Sequence, residues 1–206
     1  MFTLWFMGRP ASGKSTLASA VEDRLRERGL PMENLDGDDL RKNLHPDLGF
    51  SREDRRLNNK RTAYICKLLN RSGIPVIVGM ITPFRESQQQ AREIIEPEGN
   101  FVLVHTKCSL EECERRDPKN LYQRAREGKI EKFTGVNHPF QEPHDPDIVV
   151  DTEEESLTEC VEHVLTRLDE LAVVDEQLTD QYSFHISKSE EDVIKDRLSK
   201  KGFLDT

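Results

Sequence analysis

The residues with the most chemical meaning lie near the start of the chain. Gly8-Arg-Pro-Ala-Ser-Gly13-Lys14-Ser15-Thr16 matches G-x-x-x-x-G-K-[ST]. Glycines in such a loop let backbone N–H groups turn toward one point, and a helix opening at Lys14 adds the partial positive charge of its N-terminus. Lys14 then reaches the β- and γ-phosphates of a nucleoside triphosphate, and the Ser15 hydroxyl can ligate Mg²⁺. The expected ATP-binding residues are therefore Gly8, Ala11, Ser12, Gly13, Lys14, Ser15 and Thr16, with Ser15 as the metal ligand. A second group, Asp36-Gly37-Asp38-Asp39-Leu40-Arg41, offers carboxylates able to orient or deprotonate a hydroxyl or to hold magnesium-bound water. Its arginine suits an anion. Standing alone, the group reads equally well as a turn rich in Asp and Gly. A third group is the segment 115–132, with seven Lys and Arg against three Asp and Glu. It is either a solvated helix face or a mobile cationic flap; its place between two predicted strands favours the flap.

These groups need elements to hold them. Phe2–Met7 is a short apolar run stopped by Gly8, as suits a strand buried on both faces. A helix is predicted from Lys14 to about Arg28, burying Ala18, Val21 and Leu25 and ending at Gly29. A short strand ends at Leu35, with the Asp36 group in the loop beyond it, and Arg52 to Asn70 reads as a helix closed by Gly73. Strands follow at 74–78, 101–105 and 148–150, with a helix from Phe84 to Glu96. After Asp151 an amphipathic helix is expected to bury Leu157, Val161, Val164, Leu165, Leu168 and Leu171. Strands alternating with helices predict an α/β fold: a mostly parallel sheet, helices on both faces, and a helical lid. The expected division is a kinase-type domain at 1–173, with its lid at 115–136, and an acidic extension at 174–206 holding a short helix, Ser189 to Lys201.

The composition closes off other classes. The chain has 206 residues and a net charge of −9. Residues 1–150 are nearly balanced, with 24 basic and 23 acidic side chains, whereas 151–206 carry 6 and 16. The first part is free to build a local anion site, but the chain offers no nucleic-acid surface. No stretch approaches the roughly 18 apolar residues of a membrane span, and Phe2–Met7 is too short for a secretion signal. Cys66, Cys108, Cys113 and Cys160 show no C-x-x-C pairing and no histidine at metal spacing. They read as reduced thiols of a cytoplasmic protein.

Among phosphate-loop proteins the chain lacks the guanine-reading Asn-Lys-x-Asp, and its length and flap favour a small-molecule kinase. Further motifs follow in order: Asp36-Gly-Asp-x-x-Arg41, Asp47-Leu-Gly-Phe-Ser51, Asp54-Arg55-x-x-Asn58-x-x-Arg61 and Ile81-Thr-Pro-Phe-Arg85. Arg116-Asp-Pro-Lys-Asn-Leu-Tyr122, Phe133-Thr-Gly135 and Pro143-x-x-Pro146 complete the series. Together with the phosphate loop, over roughly residues 2–151, these resemble the adenylylsulfate kinase family. The resemblance implies transfer of the ATP γ-phosphoryl group to the 3′-hydroxyl of adenosine 5′-phosphosulfate, giving 3′-phosphoadenosine 5′-phosphosulfate. It implies Lys14 and Asp38 as catalytic residues, Asp38 at the acceptor hydroxyl or the magnesium shell. Arg41, Arg55 and Asn58 would hold the phosphosulfate, and Phe50 and Phe133 would sandwich its adenine. Thr82 would join the acceptor site, and Lys119, Leu121 and Tyr122 the lid. Arginine forks suit an anion with several oxygens, and aromatic faces suit a purine. The resemblance also implies a homodimer and coupling to sulfate adenylyltransferase. The chain departs from the family pattern in several places. Ala11 stands where the family loop usually has glycine, Arg9-Pro10 is unusual, Thr82 replaces a serine that is phosphorylated in some members, and Leu57-Asn58-Asn59 replaces Glu-Asn-Ile. Lys119-Asn120-Leu121-Tyr122 replaces Lys-Gly-Leu-Tyr, and the acidic extension beyond about residue 173 has no counterpart in the pattern. Two other readings remain: a kinase of the same fold acting on another nucleotide-like acceptor, and a silent nucleotide-binding module whose acidic tail recruits a partner.

Overall fold

Residues 1–174 are described by the computed structural model; the rest of the extension, including the helix expected from Ser189 to Lys201, lies outside the described residues. Five strands, β1 (Phe2–Met7), β2 (Glu33–Asp36), β3 (Val76–Gly79), β4 (Asn100–Lys107) and β5 (Ile148–Asp151), form one sheet in the order β2-β3-β1-β4-β5. Every pairing is parallel. Helices α1 (Lys14–Glu27) and α7 (Leu157–Glu170) share one core with Phe2, Leu4 and Phe6. On the opposite side, α3 (Arg52–Arg71) and α4 (Arg85–Ile95) share a second core with Trp5 and Met7. Successive β1 side chains thus feed opposite cores, which is why the strand is buried at every position rather than at alternate ones. The chain visits β2 and β3 on one side of β1 before crossing to β4 on the other, so a crevice opens at the carboxyl end of β1. The Gly8–Gly13 loop leaves β1 at that point.

Two expectations need correction. The Asp36–Arg41 group is not a loop: Gly37–Asn43 forms a helix, α2, seven residues long. Asp36 caps it by accepting from the N–H groups of Asp38 and Asp39, at 2.9 and 3.3 Å. Acids in the first turn and Arg41 and Lys42 in the last complement the helix dipole. Gly37 is required here because a Cβ would stand 2.9 Å from the carbonyl oxygen of Gly79. Leu157 and Leu171 are not part of the α7 buried stripe but are 46% and 41% exposed. They stand at the two ends of α7, Leu157 as its first residue and Leu171 as its C-cap, outside the stretch that contributes Cys160 to Leu168 to the core.

Two short helices, α5 (Leu110–Arg116) and α6 (Leu121–Arg126), stand over the crevice. They have a small core of their own, made by Cys108, Cys113, Tyr122, Ala125 and Phe133. Among the described residues no helix is long and apolar enough to cross a membrane.

Candidate active site

The phosphate-loop end is built from backbone. Gly13 is the N-cap of α1 at φ 86°, and no side chain caps the helix. Its first-turn N–H groups are therefore left for an anion. Gly8 and Ser12 do not line the cavity above; they shape the loop from beneath. A Cβ on Gly8 would lie 2.5 Å from Thr106 Oγ1, and the buried Ser12 hydroxyl pairs with that same oxygen at 3.0 Å. Thr152 Oγ1 donates to the Ser12 carbonyl, and the Tyr122 hydroxyl donates to the Pro10 carbonyl from α6, both at 3.0 Å. Ala11, Gly13, Lys14, Ser15 and Thr16 line the cavity. Ala11 sits at φ 61°, a left-handed conformation unfavourable for a residue with a Cβ.

Lys14 Nζ donates to the Arg9 carbonyl at 2.6 Å. Burial pushes its pKa down to about 8, against the opposing pull of Cys113, Asp38 and Asp36. The Ser15 hydroxyl donates to Asp36 Oδ2 at 2.8 Å. A hydroxyl beside one carboxylate oxygen is a hard-oxygen donor pair, too few for a protein-only cage. No group of three His, Cys, Asp or Glu among the described residues could hold a metal. The pair therefore fits a cation that takes most of its ligands from phosphates and water, as Mg²⁺ does.

The opposite end is built from side chains. The Arg41 guanidinium lies 4.6 Å from the Phe50 ring centroid and that of Arg55 lies 5.4 Å from it. Arg55 is buried, yet its hydrogen bonds go only to carbonyls, from Nε to Phe50 (3.2 Å) and from Nη2 to Lys132 (2.7 Å). Burial, and then repulsion from Arg41, lowers its pKa to about 10. A buried cation with no carboxylate partner beside a second cation can accept an anion. Asn58, also buried, pairs its Oδ1 with His45 Nδ1 at 2.7 Å. Phe50 is 54% exposed and Phe133 buried, the latter edge-on to Tyr122 at 4.9 Å. Both Phe50 and Phe133 line the cavity, as do Asp38, Thr82, Lys119 and Leu121. Lys119 reaches from the lid to Asp38 Oδ2 at 2.5 Å. Both side chains are mostly solvent-exposed, so this contact is worth about 0–1 kcal/mol. Thr82 is held at φ 43° with its hydroxyl accepting from Trp5 Nε1 at 2.8 Å and its carbonyl accepting from Gln88 at 3.2 Å.

The cationic flap is narrower than its composition suggests. Of its seven cations, Arg116, Lys119 and Lys132 line the cavity. Arg115 and Arg126 instead pair with Glu112 and Glu114, and Lys129 with Glu127. Arg116 donates to the carbonyl of Thr152, which fixes the lid against the loop after β5.

Both ends open into one cavity of about 990 Å³, the top of the usual range for a single small ligand. Sequence reasoning did not single out Asp36 as the partner of Ser15, His45 as the partner of Asn58, or Asn59 and Leu157 as cavity walls. For Asp36 the chain signals only the helix cap, in an Asp followed by two acids and then two bases. Its pairing with Ser15, like the other three features, depends on packing between elements.

With this geometry in view, comparison with known proteins is specific. A family model for adenylylsulphate kinase matches residues 1–151. An adenylyl-sulfate kinase of Staphylococcus carnosus (strain TM300) is 46% identical over 171 residues, 83% of this chain and 85% of the relative. One from Picosynechococcus sp. (strain ATCC 27264 / PCC 7002 / PR-6) is 44% identical over 172 residues, 84% and 96% of the two chains. Among solved structures, the Mycobacterium tuberculosis APS kinase CysC in complex with AMPPNP and APS superposes with a TM-score of 0.78 at 41% identity. That match covers 81% of this chain and 96% of the other.

Proposed function

The chain belongs to the adenylylsulfate kinase family, and we infer from this that it transfers the γ-phosphoryl group of ATP to the 3′-hydroxyl of adenosine 5′-phosphosulfate. The products are ADP and 3′-phosphoadenosine 5′-phosphosulfate. The observation that carries this reading is the pairing, across one cavity, of an uncapped helix N-terminus bearing Lys14 with Arg41 and Arg55 set against Phe50, Arg55 having no salt bridge among the described residues.

In the proposed reaction the ATP phosphates occupy the N–H groups at the start of α1, and Lys14 exchanges the Arg9 carbonyl for the β- and γ-phosphates. Ser15, with Asp36 in reach, would hold a Mg²⁺ ion, which would supply charge neutralisation at those phosphates. Arg41, Arg55 and Asn58 hold the phosphosulfate, and Phe50 and Phe133 hold the purine. Asp38 orients the 3′-hydroxyl and receives its proton as the O3′–P bond forms and the bridging bond to ADP breaks. The transition state is loose, so positioning and charge neutralisation do most of the work. Lys119 and Arg116 add charge from the lid, while Leu121 and Tyr122 exclude water. The commitment of the Thr82 hydroxyl to Trp5, in a residue 1% exposed, supports direct transfer without a phosphoenzyme. A cytoplasmic setting, a homodimer and functional coupling to sulfate adenylyltransferase complete the proposal.

The test is a panel of 5′-modified nucleotides offered with ATP and magnesium, read for 3′-phosphorylated product. Conversion of adenylylsulfate with the highest kcat/KM is expected. Failure to convert it, or a ternary complex with the sulfated ligand far from Asp38, Arg41 and Phe50, overturns the reading.

A further inference from the structure

We propose that Asn59 is a further residue of the acceptor pocket, its carboxamide hydrogen-bonding the acceptor nucleotide. Asn59 lies on α3 one turn beyond Arg55, and positions four apart share a helix face. Arg55, Asn58 and Asn59 are all buried, and all three line the cavity. What distinguishes Asn59 is its amide nitrogen: the residue is 3% exposed, and Nδ2 is fully buried without a hydrogen bond among the described residues. Buried amides are nearly always paired, because an unpaired one forfeits its hydration. Among the described residues five side-chain atoms are stranded in this way, on Asn59, Ser87, Gln90, Thr134 and His138. Only Asn59 and Thr134 line this cavity. Thr134 follows Phe133 and is two residues from Lys132, whose carbonyl holds Arg55, so it too belongs to the acceptor end.

The side of the sheet decides which substrate is involved. The phosphate loop feeds α1, which packs against one face, whereas α3 covers the other. The amide therefore belongs with Arg55 and Asn58 rather than with the ATP phosphates. An oxygen or ring nitrogen of the acceptor nucleotide completes its bonding. In the free protein the same amide is a destabilising feature.

That double character makes the inference testable, and it rests on the acceptor assigned above. Asn59→Leu is nearly isosteric and removes the amide. It is expected to raise the KM for adenylylsulfate about tenfold, the value of one hydrogen bond, with the KM for ATP unchanged. It is also expected to raise the thermal midpoint of the unliganded protein, because the stranded donor is gone. An unchanged KM for adenylylsulfate, or equal rises for both substrates, overturns the inference. Should Asn59→Leu not fold, Asn59→Ser against Asn59→Ala compares a hydroxyl with its closest apolar match. Higher acceptor affinity in the serine variant supports the role, and equal affinity removes it. Wild-type turnover of adenylylsulfate, measured alongside, keeps failure at Asn59 separate from failure of the acceptor assignment.

Discussion

The two ends of the cavity are prepared for their ligands in opposite ways. At the phosphate-loop end both reactive side chains already have a partner inside the protein, with Lys14 on the Arg9 carbonyl and Ser15 on Asp36, while the first turn of α1 has no side-chain cap. At the far end, among the described residues, Arg55 has carbonyls but no salt bridge, and Asn59 Nδ2 has no hydrogen bond. A ligand at the first end exchanges one set of side-chain hydrogen bonds for another and meets a helix N-terminus, so its gain is mostly electrostatic. A ligand at the second end supplies partners that were missing, so its binding also relieves repulsion and desolvation stored in the folded chain. In the proposed reaction the first end thus serves transition-state charge and the second recognition.

The largest test of that contrast is Lys14→Ala. It is expected to lower kcat by about 10³-fold, the scale for removing a preorganised group from a developing charge, while circular dichroism shows an intact fold. Wild-type turnover would remove the first end from the chemistry. Next in size is Arg55→Leu, whose loss of charge-assisted bonds is expected to raise the KM for the acceptor about 100-fold. Steady-state kinetics should show the ATP KM untouched; a matching rise there would mean that the two ends are not separately organised.

A smaller effect comes from the Lys14 proton. Its pKa is lowered from 10.5 to about 8, so between those values the unfolded chain binds more protons than the folded one. The contribution of this group to stability therefore rises with pH across that window. Phosphates restore the charge, so ATP binding at pH 8 is expected to take up about half a proton. Affinity for ATP then falls as pH rises beyond that point. Calorimetry in buffers of different ionisation enthalpy reads the uptake directly, and none at pH 8 would contradict a buried, partly neutral lysine. The smallest expected change is at Ala11. Glycine there relieves about 1–2 kcal/mol of left-handed strain but costs about 0.5–1 kcal/mol of chain entropy. Ala11→Gly should therefore stabilise the protein by at most about 1.5 kcal/mol in denaturant melts. A loss of stability would show that the Ala11 methyl makes contacts worth more than its strain.

The same division governs how much could be read in advance. The phosphate loop and its helix are visible because the motif is contiguous, and its geometry follows from local dihedral freedom and helix-end dipoles. The strands are legible to within two residues at each end, since five of the six β1 residues are apolar. The helix Gly37–Asn43 was missed although its cap and charge pattern were legible, because a string of Asp and Gly also makes a turn. Asp36 was missed as a partner of Ser15, 21 residues away, and Arg55 gave no sign that its guanidinium would meet the Lys132 carbonyl, 77 residues on.

What the sequence determined on its own is the set of chemical groups: a phosphate cradle, arginines and aromatics for an anionic purine nucleotide, and two apolar faces for a parallel sheet. The tertiary structure decided which of those groups are satisfied and which are left waiting. Three of the seven flap cations line the cavity while others pair outward with glutamates, and of the two adjacent asparagines Asn58 finds His45 while Asn59 Nδ2 finds no partner among the described residues. Composition and spacing are properties of neighbours along the chain. Whether a buried charge or amide has a partner depends on segments that only the sheet and its crossing helices bring together.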